Sequence, residues 1–319
     1  MTALPIDRRS FLATAGGAAA AAALPGRARA FGEANASPGR IRLGGPIFVQ
    51  TDDPEELARA HRAKGYRAGY CPKIPVSDRQ RIKDTERAFT KQDVAIAEVG
   101  RWVNLLDSDP EKRRQNLATV TEGLALADAI GARCCVDIAG SFSPTSWFGP
   151  HPDNLTPRFF DAAVENARKV IDAVGPTRTV FTYEMMAWSL PDSPDACLRM
   201  IVAVDRKAFA VHLDPCNLIN SPERNYRSSA VLRECYEKLG PRIASVHAKD
   251  LAWDVEYAVH FREVRIGMGS IDYAVFLAEH AKHAPDVPLM LEHLPNEADY
   301  DAARDQVKAV GARVGLGFE

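Results

Sequence analysis

The sequence predicts an α/β fold, a (β/α)8 TIM barrel, on three observations. From residue 41 onward, short β-rich apolar runs alternate eight times with longer amphipathic segments. The eight units occupy about 280 residues, the usual size of such a barrel. Acids and imidazoles stand at the ends of the last four runs, where a barrel carries its chemistry. A doubly wound open sheet is the alternative, weakened because no G-x-G-x-x-G follows the first run.

The predicted strands are 41–49, 66–71, 94–102, 133–139, 179–185, 210–214, 243–249 and 288–294. Runs such as Cys134-Cys135-Val136-Asp137-Ile138 are apolar nearly throughout, as expected of strands covered on both faces. Helix starts are readable between them. Asp53-Pro54-Glu55-Glu56 supplies a cap, a proline and first-turn acids, and Thr156-Pro157 reads as a cap and proline before 158–174. Gly65, Gly131, Gly175 and Gly240 each stand where a helix should close. Leu117, Val120, Leu124 and Ala127 mark the inner stripe of a helix over 111–130. No Pro/Ser/Gly-rich linker divides the chain, so one barrel is expected over 37–319.

Residues 1–36 read as an export signal and lead. Arg8-Arg9 precedes Ser10-Phe11-Leu12 and a mild Ala/Gly run to Leu24, which resembles a twin-arginine signal, with Asp7 in place of the usual Ser or Thr. That run is too short and too rich in Ala and Gly for a stable membrane anchor. Ala28-Arg29-Ala30 and Ala34-Asn35-Ala36 are candidate cleavage sites. The resemblance implies export in the folded state by the twin-arginine machinery, to the periplasm or beyond. The chain has 40 basic and 42 acidic residues; losing residues 1–30 removes four arginines and one aspartate and moves the net charge from −2 to −5. A chain of that charge is not expected to bind nucleic acid, which needs a basic face. The six cysteines form no CxxC pair, so buried free thiols are expected rather than a disulfide framework or a zinc finger.

The fifth strand ends Thr182-Tyr183-Glu184-Met185, the sixth Val211-His212-Leu213-Asp214, the seventh Val246-His247-Ala248-Lys249 and the eighth Leu291-Glu292-His293. Glu184, Asp214, His247 and Glu292 are 30, 33 and 45 residues apart, one βα unit each, the last with a long loop. Three buried carboxylates close together are costly unless a cation compensates. Oxygen ligands with one imidazole suit Mn²⁺ best here, with Mg²⁺, Co²⁺ and Zn²⁺ as alternatives.

This Glu–Asp–His–Glu series, with His212-Leu213-Asp214-Pro215-Cys216-Asn217, His247-Ala248-Lys249-Asp250 and Gly267-Met268-Gly269-Ser270-Ile271-Asp272, resembles the xylose isomerase-like superfamily over about residues 41–315. Its sugar phosphate isomerase/epimerase branch is the part it resembles most. The resemblance implies that Glu184 and Glu292 are both metal ligands and acid/base groups. The metal would chelate two adjacent substrate oxygens and stabilise an enediolate. Return of the proton then decides between epimerisation, isomerisation and elimination.

Around this set, Lys249 shares a face with His247 and is expected to touch substrate. His151, in the proline-stiffened loop after the fourth strand, and Asn217, where related epimerases often carry histidine, are further candidate substrate contacts, as is Glu98. His212 is expected to be a core histidine, His293 to face the helices and Cys216 to pack. Trp102, Trp147, Trp188 and Trp253 all fall just past strand ends and are candidate walls for the C–H faces of a glycoside-sized sugar. No Gly-rich phosphate loop is present.

The sequence therefore predicts a metal-dependent isomerase or epimerase of an unphosphorylated sugar or sugar derivative. A lyase or dehydratase acting on a keto-glycoside or inosose and a non-catalytic exported sugar-binding protein are the alternatives. A homo-oligomer is left open.

Overall fold

A computed structural model describes residues 40–318. The export signal and the expected boundary at residue 36 lie outside the described residues. Eight parallel strands close into a barrel: β1 Leu43–Gly44, β2 Ala68–Tyr70, β3 Ala95–Gly100, β4 Cys134–Asp137, β5 Val180–Glu184, β6 Phe209–Leu213, β7 Ile243–Ala248 and β8 Leu289–Leu291. Each pairs with its sequence neighbours, and β8 pairs with β1. The predicted TIM barrel is the observed fold. The principal helices are α1 Pro54–Ala63, α2 Arg79–Lys91, α3 Pro110–Ile130, α4 Pro157–Val174, α5 Pro194–Val204, α6 Ser228–Leu239, α7 Tyr273–His283 and α8 Glu297–Arg313.

The first strand is far shorter than the run 41–49 suggested. Pro46 has no N–H to give a ladder and stops the pairing soon after Gly44. Gly44 is itself required for close approach: an added Cβ would lie 2.5 Å from the Met290 sulfur and 2.6 Å from the Ala68 carbonyl oxygen.

Alternation along the strands sorts the core into two layers. Cys134, Val136, Val180 and Ala244 form one small cluster, and Ala68, Ala97 and Met290 another. Cys135, Val99 and Phe181 face the other way, into a large cluster with helices α2–α5. Leu43, Val211, Val246 and Leu291 do the same against α6–α8. Each large apolar side chain so buried contributes about 1.5–3 kcal/mol. All six cysteines are free, and all but Cys71 are buried.

Caps behave mostly as their residues require. Asp53 accepts from the Glu55 N–H at 3.0 Å and Asp109 from that of Glu111 at 2.8 Å. Gly131 (φ 73°) and Gly175 (φ 58°) close α3 and α4 in the left-handed region. Two expectations are corrected. The Thr156 hydroxyl makes no cap; it donates to the Asp153 carbonyl at 2.7 Å. Gly240 is right-handed (φ −32°) and runs straight into a 3₁₀ turn, its place set by His283, whose Cβ lies 2.9 Å from where a side chain would start.

The segment expected as a long loop after β7 is instead an antiparallel hairpin, Asp250–Val255 with Val259–Val264. No helix among the described residues is long and apolar enough to cross a membrane.

Candidate metal centre

The C-terminal ends of β5 to β8 bring Glu184, Asp214, His247 and Glu292 together. Glu184 ends β5, His247 is the penultimate residue of β7, and Asp214 and Glu292 each follow their strand by one residue. Each offers a ligand atom within 4.8 Å of those of the others. His247 Nδ1 lies 2.9 Å from Glu292 Oε2, 3.4 Å from Glu184 Oε1 and 3.8 Å from Asp214 Oδ2. The first three residues are buried and Glu292 nearly so.

The donor set fits a divalent cation. Asp214 Oδ2, His247 Nδ1 and Glu292 Oε2 are buried and make no hydrogen bond, which for charged groups is costly without another partner. The Lys249 ammonium lies 2.8 Å from both the Asp214 and Glu292 oxygens. These ion pairs offset part of the carboxylate charge, yet neither oxygen has a hydrogen-bond partner. Asp214 Oδ1 is already used, accepting from the Cys216 N–H at 3.0 Å, which fixes the carboxylate and leaves Oδ2 for the cluster. Three carboxylates and one imidazole are the ligand chemistry of Mn²⁺, Mg²⁺ or Co²⁺, and also accept Zn²⁺.

Deeper in the barrel, a buried carboxylate holds the imidazoles. Glu98, on β3, is 2% exposed. One oxygen meets His247 Nε2 at 3.0 Å; the other meets His212 Nε2 at 3.0 Å and the Ser245 hydroxyl at 2.9 Å. With Nε2–H donating to Glu98, His247 Nδ1 presents its lone pair to the cluster. Burial alone would raise the Glu98 carboxyl, but the two imidazoles outweigh it and hold the group well below the usual carboxylate range. Burial would likewise lower His247, yet Glu292 and Glu98 hold it well above its ordinary value. That negative surrounding draws a cation, whether proton or metal, to Nδ1. Both Glu98 oxygens are engaged by the two rings and the hydroxyl, at the floor of the cleft that Trp102 and Glu292 also line. His212 is the buried core histidine predicted.

At the mouth, the Asn217 amide donates to Glu184 Oε1 at 3.0 Å and to the Met185 carbonyl at 2.9 Å, so it orients Glu184. His293 does not face the helices. Its backbone is left-handed (φ 57°), which breaks strand alternation one residue after Glu292. The ring turns to Glu263 of the hairpin at 2.8 Å and to Lys249 at 3.3 Å. Trp102 lies with its ring centroid 6.1 Å from that of His247 and lines, with Tyr70, Lys73 and Glu292, a cleft of about 260 Å³. Trp253 belongs to the hairpin and bonds Asn225. Trp147 packs edge-on against Phe148, and the Trp188 carbonyl accepts from Asn154. His151 accepts from the Asp153 N–H and meets Phe142 edge-on, both in its own loop rather than in the cluster. A larger groove, about 620 Å³, lies between α4 and α5, but its lining is apolar apart from Thr156 and Arg199 and holds no group of ligands.

Sequence reading missed Glu263, His293 as a mouth residue, and Asp137. The last, at the end of β4, is fully buried; one oxygen accepts from the Val103 N–H at 3.0 Å and the other has no partner.

Residues 56–310 match the xylose isomerase-like TIM barrel family, and residues 5–25 match the twin-arginine translocation pathway signal sequence. Comparison with curated proteins gave no match. Among solved structures, the chain is similar to a xylose isomerase-like TIM barrel protein from Mycobacterium smegmatis in complex with magnesium (18% identity, 86% of this chain and 98% of that one, TM-score 0.60). It is also similar to 3-keto-D-glucoside 4-epimerase from E. coli (17%, 86% and 100%, 0.60). A third is D-psicose 3-epimerase from Clostridium cellulolyticum H10 with D-tagatose (14%, 86% and 99%, 0.61). At these identities the likeness is one of fold.

Proposed function

From the premise that the chain belongs to the xylose isomerase-like TIM barrel family, we propose that it is a divalent-metal-dependent isomerase or epimerase of an unphosphorylated sugar or sugar derivative. It carries a twin-arginine signal and is a periplasmic or secreted protein. One observation carries the reading: four ligand atoms from four consecutive strand ends converge within 4.8 Å, three of them buried without a hydrogen bond. The similar epimerases of 3-keto-D-glucoside and D-psicose support a carbohydrate substrate.

Glu184, Asp214, His247 and Glu292 would hold the ion, Mn²⁺ most readily. The ion supplies Lewis-acid stabilisation of the charge that develops on substrate oxygen when a neighbouring C–H is deprotonated. The chain supplies the rest. Glu184, steadied by Asn217, takes the proton from one side of the sugar, and Glu292 returns one from the other. Lys249 and His293 face the oxygen substituents beside Glu292. Trp102, tilted against His247, would wall one side of the mouth beside the substrate.

The test is proton exchange. The Mn²⁺-loaded protein is incubated in D₂O with unphosphorylated ketoses and 3-keto-glycosides and followed by NMR. One substrate C–H should wash out, chelation should stop the exchange, and Glu184→Gln and Glu292→Gln should each be folded and inactive. Release of an aglycone or water in the same tubes would assign the chain to the lyase alternative. No exchange with any sugar would reduce it to a binding protein.

A further inference from the structure

The hairpin after β7 has a feature that the proposed chemistry does not use. Its opposed pairs are Leu251 with Glu263, Trp253 with Phe261 and Val255 with Val259, and opposed side chains share a face. The pairs between them, Ala252 with Arg262 and Asp254 with His260, put the charge on the other face. The apolar face meets the barrel mouth at its base, through Glu263. At its base Leu251 is buried in the core, while Glu263 reaches His293 at 2.8 Å and Lys249 at 3.7 Å. One step outward, the Trp253 and Phe261 rings lie 4.8 Å apart. Tyr226, from the short helix Pro222–Tyr226, stacks on Trp253 at 5.5 Å with 30° between planes.

This row is pinned from behind. The Trp253 indole N–H donates to Asn225 at 3.0 Å, and Asn225 donates to Ser270 at 2.8 Å. Rings that served only to fill a core would be covered, yet Tyr226 is 77% exposed. Continuity from Glu292 through Lys249, His293 and Glu263 makes the row the outward extension of the proposed site.

We propose that Trp253, Phe261 and Tyr226 bind the second ring of a glycoside, so that the substrate is a glycoside and not a free monosaccharide. The inference rests on the carbohydrate reading above and names its substrate class. The shared chemistry is a flat ring or an apolar C–H face laid on aromatic planes; it can belong to an aryl aglycone or to a second sugar.

Isothermal titration of the Mn²⁺-loaded protein distinguishes the two with three probes: methyl β-D-glucopyranoside, 4-nitrophenyl β-D-glucopyranoside and cellobiose. One ringed probe should bind about 10-fold tighter than the methyl glycoside, and the tighter one identifies the source. Trp253→Ala should bring that ratio to about 1. Tyr226→Ala, which leaves the hairpin pairing untouched, should lower it about 3-fold. No preference in the wild type, or a preference that survives Trp253→Ala, overturns the proposal. So does a Trp253→Ala change from dimer to monomer in sedimentation, which would assign the face to a second copy of the chain. If no probe binds while the D₂O exchange is seen, this site has failed and the carbohydrate reading stands; if neither is seen, the carbohydrate reading itself has failed and this site falls with it.

Discussion

Glu98 decides how His247 is presented. It is a buried anion between two imidazoles, and without it neither ring has a fixed tautomer. Glu98→Gln keeps the shape and removes the charge, and metal affinity should fall about 10–100-fold, read by competition with a fluorescent chelator. Undiminished affinity would mean that His247 is oriented by something else. Asp137 shows the opposite balance. Burial pushes its carboxyl well above the ordinary aspartate range, against the N–H groups of Val103 and Ile138. A folded value above the unfolded one, about 3.9, means that folding takes up a proton. This stabilisation is full below that value and is lost as pH rises toward the folded value. Asp137→Asn has no such slope. Its stability relative to wild type should therefore grow from pH 4.5 to 7 in urea melts, and a flat difference would refute the burial argument.

At the scale of elements, Asp250 ties the hairpin to the loop before α7. One oxygen accepts from Leu251 and Ile271 at 2.9 and 3.1 Å, the other from Gly267 and Gly269, both at 3.0 Å. Asp250→Ala leaves four N–H groups without this acceptor and should destabilise by about 3 kcal/mol or more. Hydrogen exchange at residues 267–271 should speed up before the barrel opens; unchanged exchange would show that the cradle is not what holds the loop. The barrel strands were legible because each is a run apolar on both faces, and the four ligands because each ends such a run. The hairpin was not, although Leu251, Trp253 and Val255 alternate with Ala252 and Asp254. Its turn, Glu256-Tyr257-Ala258, holds no Gly or Asn to announce it. His293 was misplaced because alternation assumes extended backbone, and its φ of 57° is not extended. The imidazole partners of Glu98 were not legible because strand position gives a face, not a depth.

For the whole molecule, the consequence of the site is mechanical as well as chemical. β5, β6, β7 and β8 are consecutive staves, and each delivers one ligand, so a single ion would cross-link half of the barrel. Without an ion, three carboxylates share that space, offset in part by Lys249 at 2.8 Å from two of them. Binding to the folded state alone stabilises it by about 2.7 kcal/mol at 100 times the dissociation constant. In a domain of this size that raises Tm on the order of 5 °C. Mn²⁺ should produce such a rise in a thermal melt, EDTA should reverse it, and Glu184→Gln should shrink it. Lys249→Met should melt earlier than wild type in EDTA, since the ammonium beside Asp214 and Glu292 is gone, and should show a larger rise with Mn²⁺. A wild-type melt indifferent to Mn²⁺, Mg²⁺, Co²⁺ and Zn²⁺ alike would mean that the four side chains meet without sharing an ion. The barrel would then owe its closure to strand pairing and core packing alone.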